Sequence, residues 1–84
     1  MQRKRIMKAI DLHGVRLHEA EELILKFVDG LYAAGEPCGR IIHGHGVIAG
    51  ELEKFLRRYP YIARIERDPA NSAATVVWLQ HVTA

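Results

Sequence analysis

Only one cysteine, Cys38, occurs among the 84 residues. No internal disulfide can form, and there is no second cysteine with which to frame a zinc ribbon. A reducing, cytoplasmic setting fits. Nor is there an uninterrupted apolar run near the roughly 18 residues a membrane helix requires, and the basic start of the chain is not followed by a signal-like apolar stretch. Membrane insertion and export are therefore not expected. Internal repeats, low-complexity stretches and candidate domain boundaries are also missing, so one domain is expected. At this length roughly two-thirds of the extended surface can be buried. A deep enclosed pocket is not expected at that size, and the site should be a surface groove suited to a large partner or to a small ligand held by few contacts. A large excess of one charge is missing too, the formal net charge being +2. The basic residues are nevertheless clustered, with Arg3, Lys4, Arg5 and Lys8 at the start and Arg57, Arg58, Arg64 and Arg67 later. That arrangement is either ordinary solvated surface or a patch that attracts phosphate.

Hydrophobic residues at 49% and charged residues at 26% are ordinary globular values. Residues 1–5 read as a basic tail and residues 6–80 as the domain. Ile6 to Leu12 has two apolar residues on each side of Lys8 and reads as a strand buried on both faces. From Leu17, the residues Leu17, Ala20, Leu23, Ile24, Phe27, Val28 and Leu31 recur at three- and four-residue intervals, the stripe of an amphipathic helix about 18 residues long. No good N-cap precedes it. Gly35 offers a left-handed stop and Pro37 prevents the helix from resuming. Gly39 to His43 reads as a second strand. Leu52, Phe55, Leu56 and Tyr59 mark a shorter helix that ends by Tyr59, ahead of Pro60. Tyr61 to Arg67 alternates as a strand does, Asp68 to Ser72 is turn chemistry, and Ala74 to Leu79 has high strand propensity. The order is βαβαββ. Two right-handed crossovers put both helices on one face of a four-stranded mixed sheet, and strand order 1-2-4-3 lets the last two strands pair antiparallel. The class is α+β, a two-layer sandwich.

Two places in this order carry chemistry. Asp11-Leu12-His13-Gly14 closes the first strand, and His43-Gly44-His45-Gly46 closes the second. Strands joined by a helical crossover are parallel, so both turns are expected at one edge of the sheet, where open α/β sheets bind ligands. Asp11 is either an Asx-turn cap or a working carboxylate. His13, two residues on, falls on the same side as Asp11 along extended backbone. With an ordinary pKa near 6.5 it is able to pass a proton to a leaving oxygen. His43 can serve the site or simply donate to a backbone carbonyl. Gly44 and Gly46 permit backbone that aims N–H groups at an anion beside a helix N-terminus, or else form a plain strand-to-helix turn. Asp11, His13, His43 and His45 together also suggest one histidine-rich metal site, although their spacing does not fix it.

Taken with the closing Ala74-Thr75-Val76-Val77-Trp78-Leu79, these two turns resemble those of the Smr (small MutS-related) domain, over roughly Met7 to Leu79. The resemblance implies a fold similar to the C-terminal domain of bacterial translation initiation factor three. It implies nucleic-acid binding, to DNA or RNA and in some settings to the ribosome, with roles in DNA repair, recombination or ribosome quality control. In many members it implies endonuclease activity assisted by a divalent metal, Mg2+ or Mn2+. Carried over residue by residue, Asp11 becomes the group that binds the cation or orients a water. His13 becomes the general acid/base and His43 the other site histidine. Gly44, His45, Gly46 and Arg40 become phosphate contacts. His45 stands where the family usually has a lysine, and Ser72 and Ala73 stand where it usually has glycines. Two other classes of function remain open: a non-catalytic module tethering a larger machine to nucleic acid or the ribosome, and a small-anion or protein-interaction domain. Binding indifferent to salt would favour the last.

Overall fold

The computed structural model describes residues 6–81. Its elements run β1 (Lys8–Asp11), α1 (Leu17–Ala33), β2 (Cys38–Ile42), α2 (Val47–Leu56), β3 (Ile62–Asp68) and β4 (Asn71–Leu79). The strands form one sheet in the order β1-β2-β4-β3. β1 and β2 are parallel, with Asp11 opposite Ile42 at the end of the ladder. β4 is antiparallel to both β2 and β3. The expected α+β architecture and strand order are therefore the observed ones. The basic tail at residues 1–5, with Arg3, Lys4 and Arg5, lies outside the described residues.

Both helices pack on one face of the sheet, because a single cluster unites Ala20, Ile24 and Val28 of α1, Leu52 and Leu56 of α2, and Ile41 and Val77 of the sheet. The apolar spacing of α1 decides which residues those are. Ala20, Ile24, Val28 and Leu31 are buried, while Leu17 and Leu23, which the same periodicity admits, remain about one-third exposed. The helix ends as its sequence suggests. Gly35 takes φ 71°, and the N–H of Glu36 reaches back to the Leu31 carbonyl at 2.9 Å, which satisfies a carbonyl the helix leaves orphaned. β2 lies close beneath this helix because Gly39 has no side chain. A Cβ there would stand 2.5 Å from Leu31 Cδ1 and 3.0 Å from the Phe27 ring, so any larger residue would force these side chains of α1 to shift.

Three expectations need correcting. β1 spans Lys8–Asp11 rather than Ile6 to Leu12, and it is not buried on both faces: Lys8, Ala9 and Asp11 are exposed and Ile10 is half-buried. The physical reason is its place at the sheet edge, with helices covering one face only. β2 spans Cys38–Ile42 rather than Gly39 to His43, since His43 already lies in the turn, where its N–H goes to the Ala73 carbonyl. β4 starts at Asn71, because the turn is confined to Pro69 and Ala70. There Asp68 Oδ1 accepts the Ala70 N–H at 2.9 Å, and a proline following an aspartate suits the first central position of a tight turn.

Candidate nucleic-acid interface

At the end of β1 the chain turns on Asp11. Its Oδ1 accepts the backbone N–H of His13 at 3.1 Å, which closes an Asx turn. The same oxygen lies 2.7 Å from His13 Nδ1. The Asx cap that the sequence admits is thus formed, and the same oxygen also pairs with the imidazole. Gly14 then takes φ 80°, and Leu12, fully buried, anchors the turn from below. Both polar side chains stay exposed, His13 at 74% and Asp11 at 53%. Their hydrogen bond holds the Asp11 carboxyl below its ordinary range and raises the His13 imidazole above 6.5. With Nδ1 directed at Asp11, Nε2 is the His13 nitrogen that no described residue engages.

The second turn repeats the backbone of the first with different surroundings. Gly44, like Gly14, follows a histidine and takes positive φ, 75°. His43, however, is buried, and both its ring nitrogens are held. Nδ1 lies 2.6 Å from the Gly44 carbonyl, which can only accept, so the proton sits on Nδ1 and the Thr75 hydroxyl donates to Nε2 at 2.8 Å. Burial lowers the His43 pKa below 6.5, more than its Gly44 contact raises it. The N–H groups of His43 and Gly44 both donate to the Ala73 carbonyl, at 2.9 and 3.0 Å. The Gly44 N–H is consequently used within the fold. His45 reaches across to Ser72 Oγ at 3.1 Å, tying the turn to the β3–β4 hairpin.

The two turns touch. A Cβ at Gly44 would lie 3.7 Å from His13 Cβ, and both turns line one cleft of about 480 Å³ together with Arg16 and the first residues of α1 and α2. Neither helix has a side-chain N-cap, and the first turn of α2 contains no acidic residue. The orphan N–H groups and positive dipole end of α2 are thus not offset by any side chain of its own, a setting that favours an anion. A family model described as the Smr domain matches residues 10–80.

The chain belongs to the Smr domain family. It is 37% identical over 78 residues to the endonuclease MutS2 of Carboxydothermus hydrogenoformans, a match covering 84% of this chain and 10% of that protein. It is 34% identical over 80 residues to the endonuclease MutS2 of an Anaeromyxobacter species, covering 87% and 10%. This Smr domain therefore spans about a tenth of the length of the curated relatives it matches. Among solved structures it is similar to the Smr domain of Thermus thermophilus MutS2, with TM-score 0.80 at 25% identity over 88% of this chain and 99% of that one. It shares its fold with YdaL, a stand-alone small MutS-related protein from Escherichia coli, with TM-score 0.78 at 19% identity over 86% and 63%.

The remaining candidates fall in different places. Arg40 sits between Gly39 and Ile41, which face the helices, so alternation puts it on the open side of the sheet. There its Nε is 3.0 Å from Asp68 Oδ2, at ion-pair distance but not aligned for a hydrogen bond. Most of the later basic cluster is neutralised locally. Arg57 pairs with Glu53, Arg58 with Glu21 and Arg64 with Glu66, whereas Arg67 donates only to the Ser72 carbonyl. No group of three or more His, Cys, Asp or Glu among the described residues is arranged to hold a metal ion, so the histidine-rich cage suggested by the sequence is not assembled there. No described helix is long and apolar enough to cross a membrane. Thr75 and Arg16 were not singled out from the sequence. Thr75 has a signal: alternation places it with Val77 and Leu79 on the core face, and a buried hydroxyl needs a partner. Arg16 has none beyond its position before the stripe of α1.

Proposed function

We propose that this Smr domain binds the phosphate backbone of DNA or RNA at the paired turns and cleaves a phosphodiester bond there. The observation that carries the reading is the meeting in one cleft of His13, whose Nδ1 is held by Asp11 from outside the cleft lining, with the uncapped start of α2. A phosphate held by the N–H groups after Gly44 and by Arg16 would bring its ester oxygens beside His13. Asp11 orients the imidazole and favours its protonated form. His13 is thereby suited to donate a proton from Nε2 to the departing oxygen as water adds to phosphorus and the P–O ester bond breaks, the proton given up by the water passing to solvent, from which His13 is recharged. His43 does not act on the substrate in this scheme; it braces the turn.

The residues present fit a divalent cation of the hard kind. Both Asp11 contacts go to Oδ1, and Oδ2 is engaged by no described residue. Mg2+ and Mn2+ are typically held by one or two carboxylates together with substrate phosphate oxygens rather than by an all-protein cage. Asp11 would hold such an ion, which when bound supplies charge neutralisation at the phosphate. The relatives named endonucleases support the cleavage half of the reading. The occupancy of both His43 nitrogens and the Gly44 N–H favours a second one, a module that binds nucleic acid, the ribosome included, without cutting.

Labelled single-stranded, duplex and branched DNA and structured RNA, incubated with and without Mg2+ or Mn2+, separate the two. The wild type is expected to cleave at least one substrate, and Asp11→Asn and His13→Ala to retain binding but lose cleavage. Undiminished cleavage by both variants would remove the mechanism, and salt-sensitive binding without turnover would establish the module.

A further inference from the structure

The cleft between the turns is more apolar than a phosphate site needs to be. Leu17 and Val47 are the first residues of α1 and α2. A first-turn position on an exposed helix ordinarily takes a polar or acidic side chain, which complements the free N–H groups. Here both are aliphatic, Leu17 is 36% exposed and Val47 67%, and both line the same cleft, together with half-buried Val15. Bare phosphate has no use for such a shelf. A regular duplex presents its phosphates outward and keeps the faces of its bases stacked within. A base face becomes available to a protein where a nucleotide is single-stranded or pushed out of the stack.

We infer that the Leu17–Val47 shelf receives the base of an unpaired nucleotide whose own or neighbouring phosphate is held at the turns, so that this Smr domain selects single-stranded or locally unpaired nucleic acid over regular duplex. The inference rests on the proposed phosphate site and names its substrate class. Continuity of the shelf with that site, and the positive helix end beside it, single out a nucleotide over a purely apolar ligand. Removing about 50 Å² of aliphatic surface from water corresponds to roughly fivefold to tenfold in affinity.

The test compares a labelled single-stranded oligonucleotide, the same strand with abasic central positions, and the matching duplex, in DNA and RNA versions. Each is titrated with the wild type, Val47→Ser and Leu17→Ser at two salt concentrations. The wild type is expected to bind the intact strand about fivefold to tenfold more tightly than the abasic one. The two exposed-site variants should bring that ratio toward one while leaving affinity for the abasic strand unchanged. Equal affinity of the wild type for intact and abasic strands overturns the inference and leaves the phosphate site standing, as does a loss in Val47→Ser shared equally by all three ligands. Failure of every ligand to bind in a salt-dependent way overturns both.

Discussion

The turn after β1 and the turn after β2 share a backbone and differ in chemistry. Each places a histidine before a glycine at positive φ at the end of a parallel strand. In the first, the imidazole is exposed against a carboxylate and its pKa rises. In the second, the imidazole is buried against a hydroxyl and a carbonyl and its pKa falls. The strand neighbours decide which is which. β1 is an edge strand, so its turn has water on one side, whereas β2 is flanked by β1 and β4, and Thr75 and Ala73 of β4 close over its turn. One histidine is left free to exchange a proton and the other is fixed as a neutral brace.

The largest expected contrast is in cleavage. Asp11→Asn keeps the side chain's shape but cannot raise the basicity of His13. Turnover on the preferred substrate should fall about 100-fold or more, the scale of a lost general acid/base, while affinity in a gel-shift titration stays near the wild-type value. Thr75→Val should give the reverse. It leaves His43 Nε2 buried without its donor, which costs about 1–3 kcal/mol of stability. Urea unfolding should register that loss, and Asp11→Asn, with its exposed side chain, should leave the urea midpoint almost unmoved. Equal stability losses in the two variants would erase the distinction between the turns.

A smaller but more direct contrast lies in pH. In an NMR titration the His13 ring should change protonation state above pH 6.5 and the His43 ring below it. The linked stabilities have opposite signs. The raised His13 pKa contributes stability that is present below 6.5 and lost as pH rises through the folded value. The lowered His43 pKa contributes stability that is present above 6.5 and lost as pH falls through the folded value. Replacing each histidine by alanine should therefore tilt the stability–pH curve in opposite directions. Curves that tilt the same way would show that the two imidazoles share one environment.

The architecture was readable in the sequence because it rests on period: the stripe Ala20, Ile24, Val28, Leu31 and the alternation in β3 and β4 determine which faces must be buried. The parallel placement of the two turns followed from βαβ connectivity alone. The exposure of β1 did not, because its run of apolar residues does not say whether a strand sits at an edge or in the middle. The different fates of His13 and His43 were also hidden. The partner of His13 is two residues away and visible, but the partner of His43 is 32 residues away on β4. Arg40 shows the same limit, since its ion-pair partner Asp68 lies on β3, which no local pattern connects to β2.

The smallest expected effect concerns His45, the residue between the two glycines of the second turn. Its Nε2 is occupied by Ser72 Oγ across the hairpin, so its ring tethers the turn to β4 as well as flanking the cleft. His45→Lys would exchange that tether for a permanent charge beside the start of α2. One added phosphate contact should steepen the dependence of log affinity on log salt by about one and strengthen low-salt binding by a few-fold. The added charge would not touch the Asp11–His13 pair, so turnover at saturating substrate should stay level. A change in turnover without a change in the salt slope would mean that the Ser72 tether holds the geometry of His13 through Gly44, and the two turns would then have to be treated as a single unit.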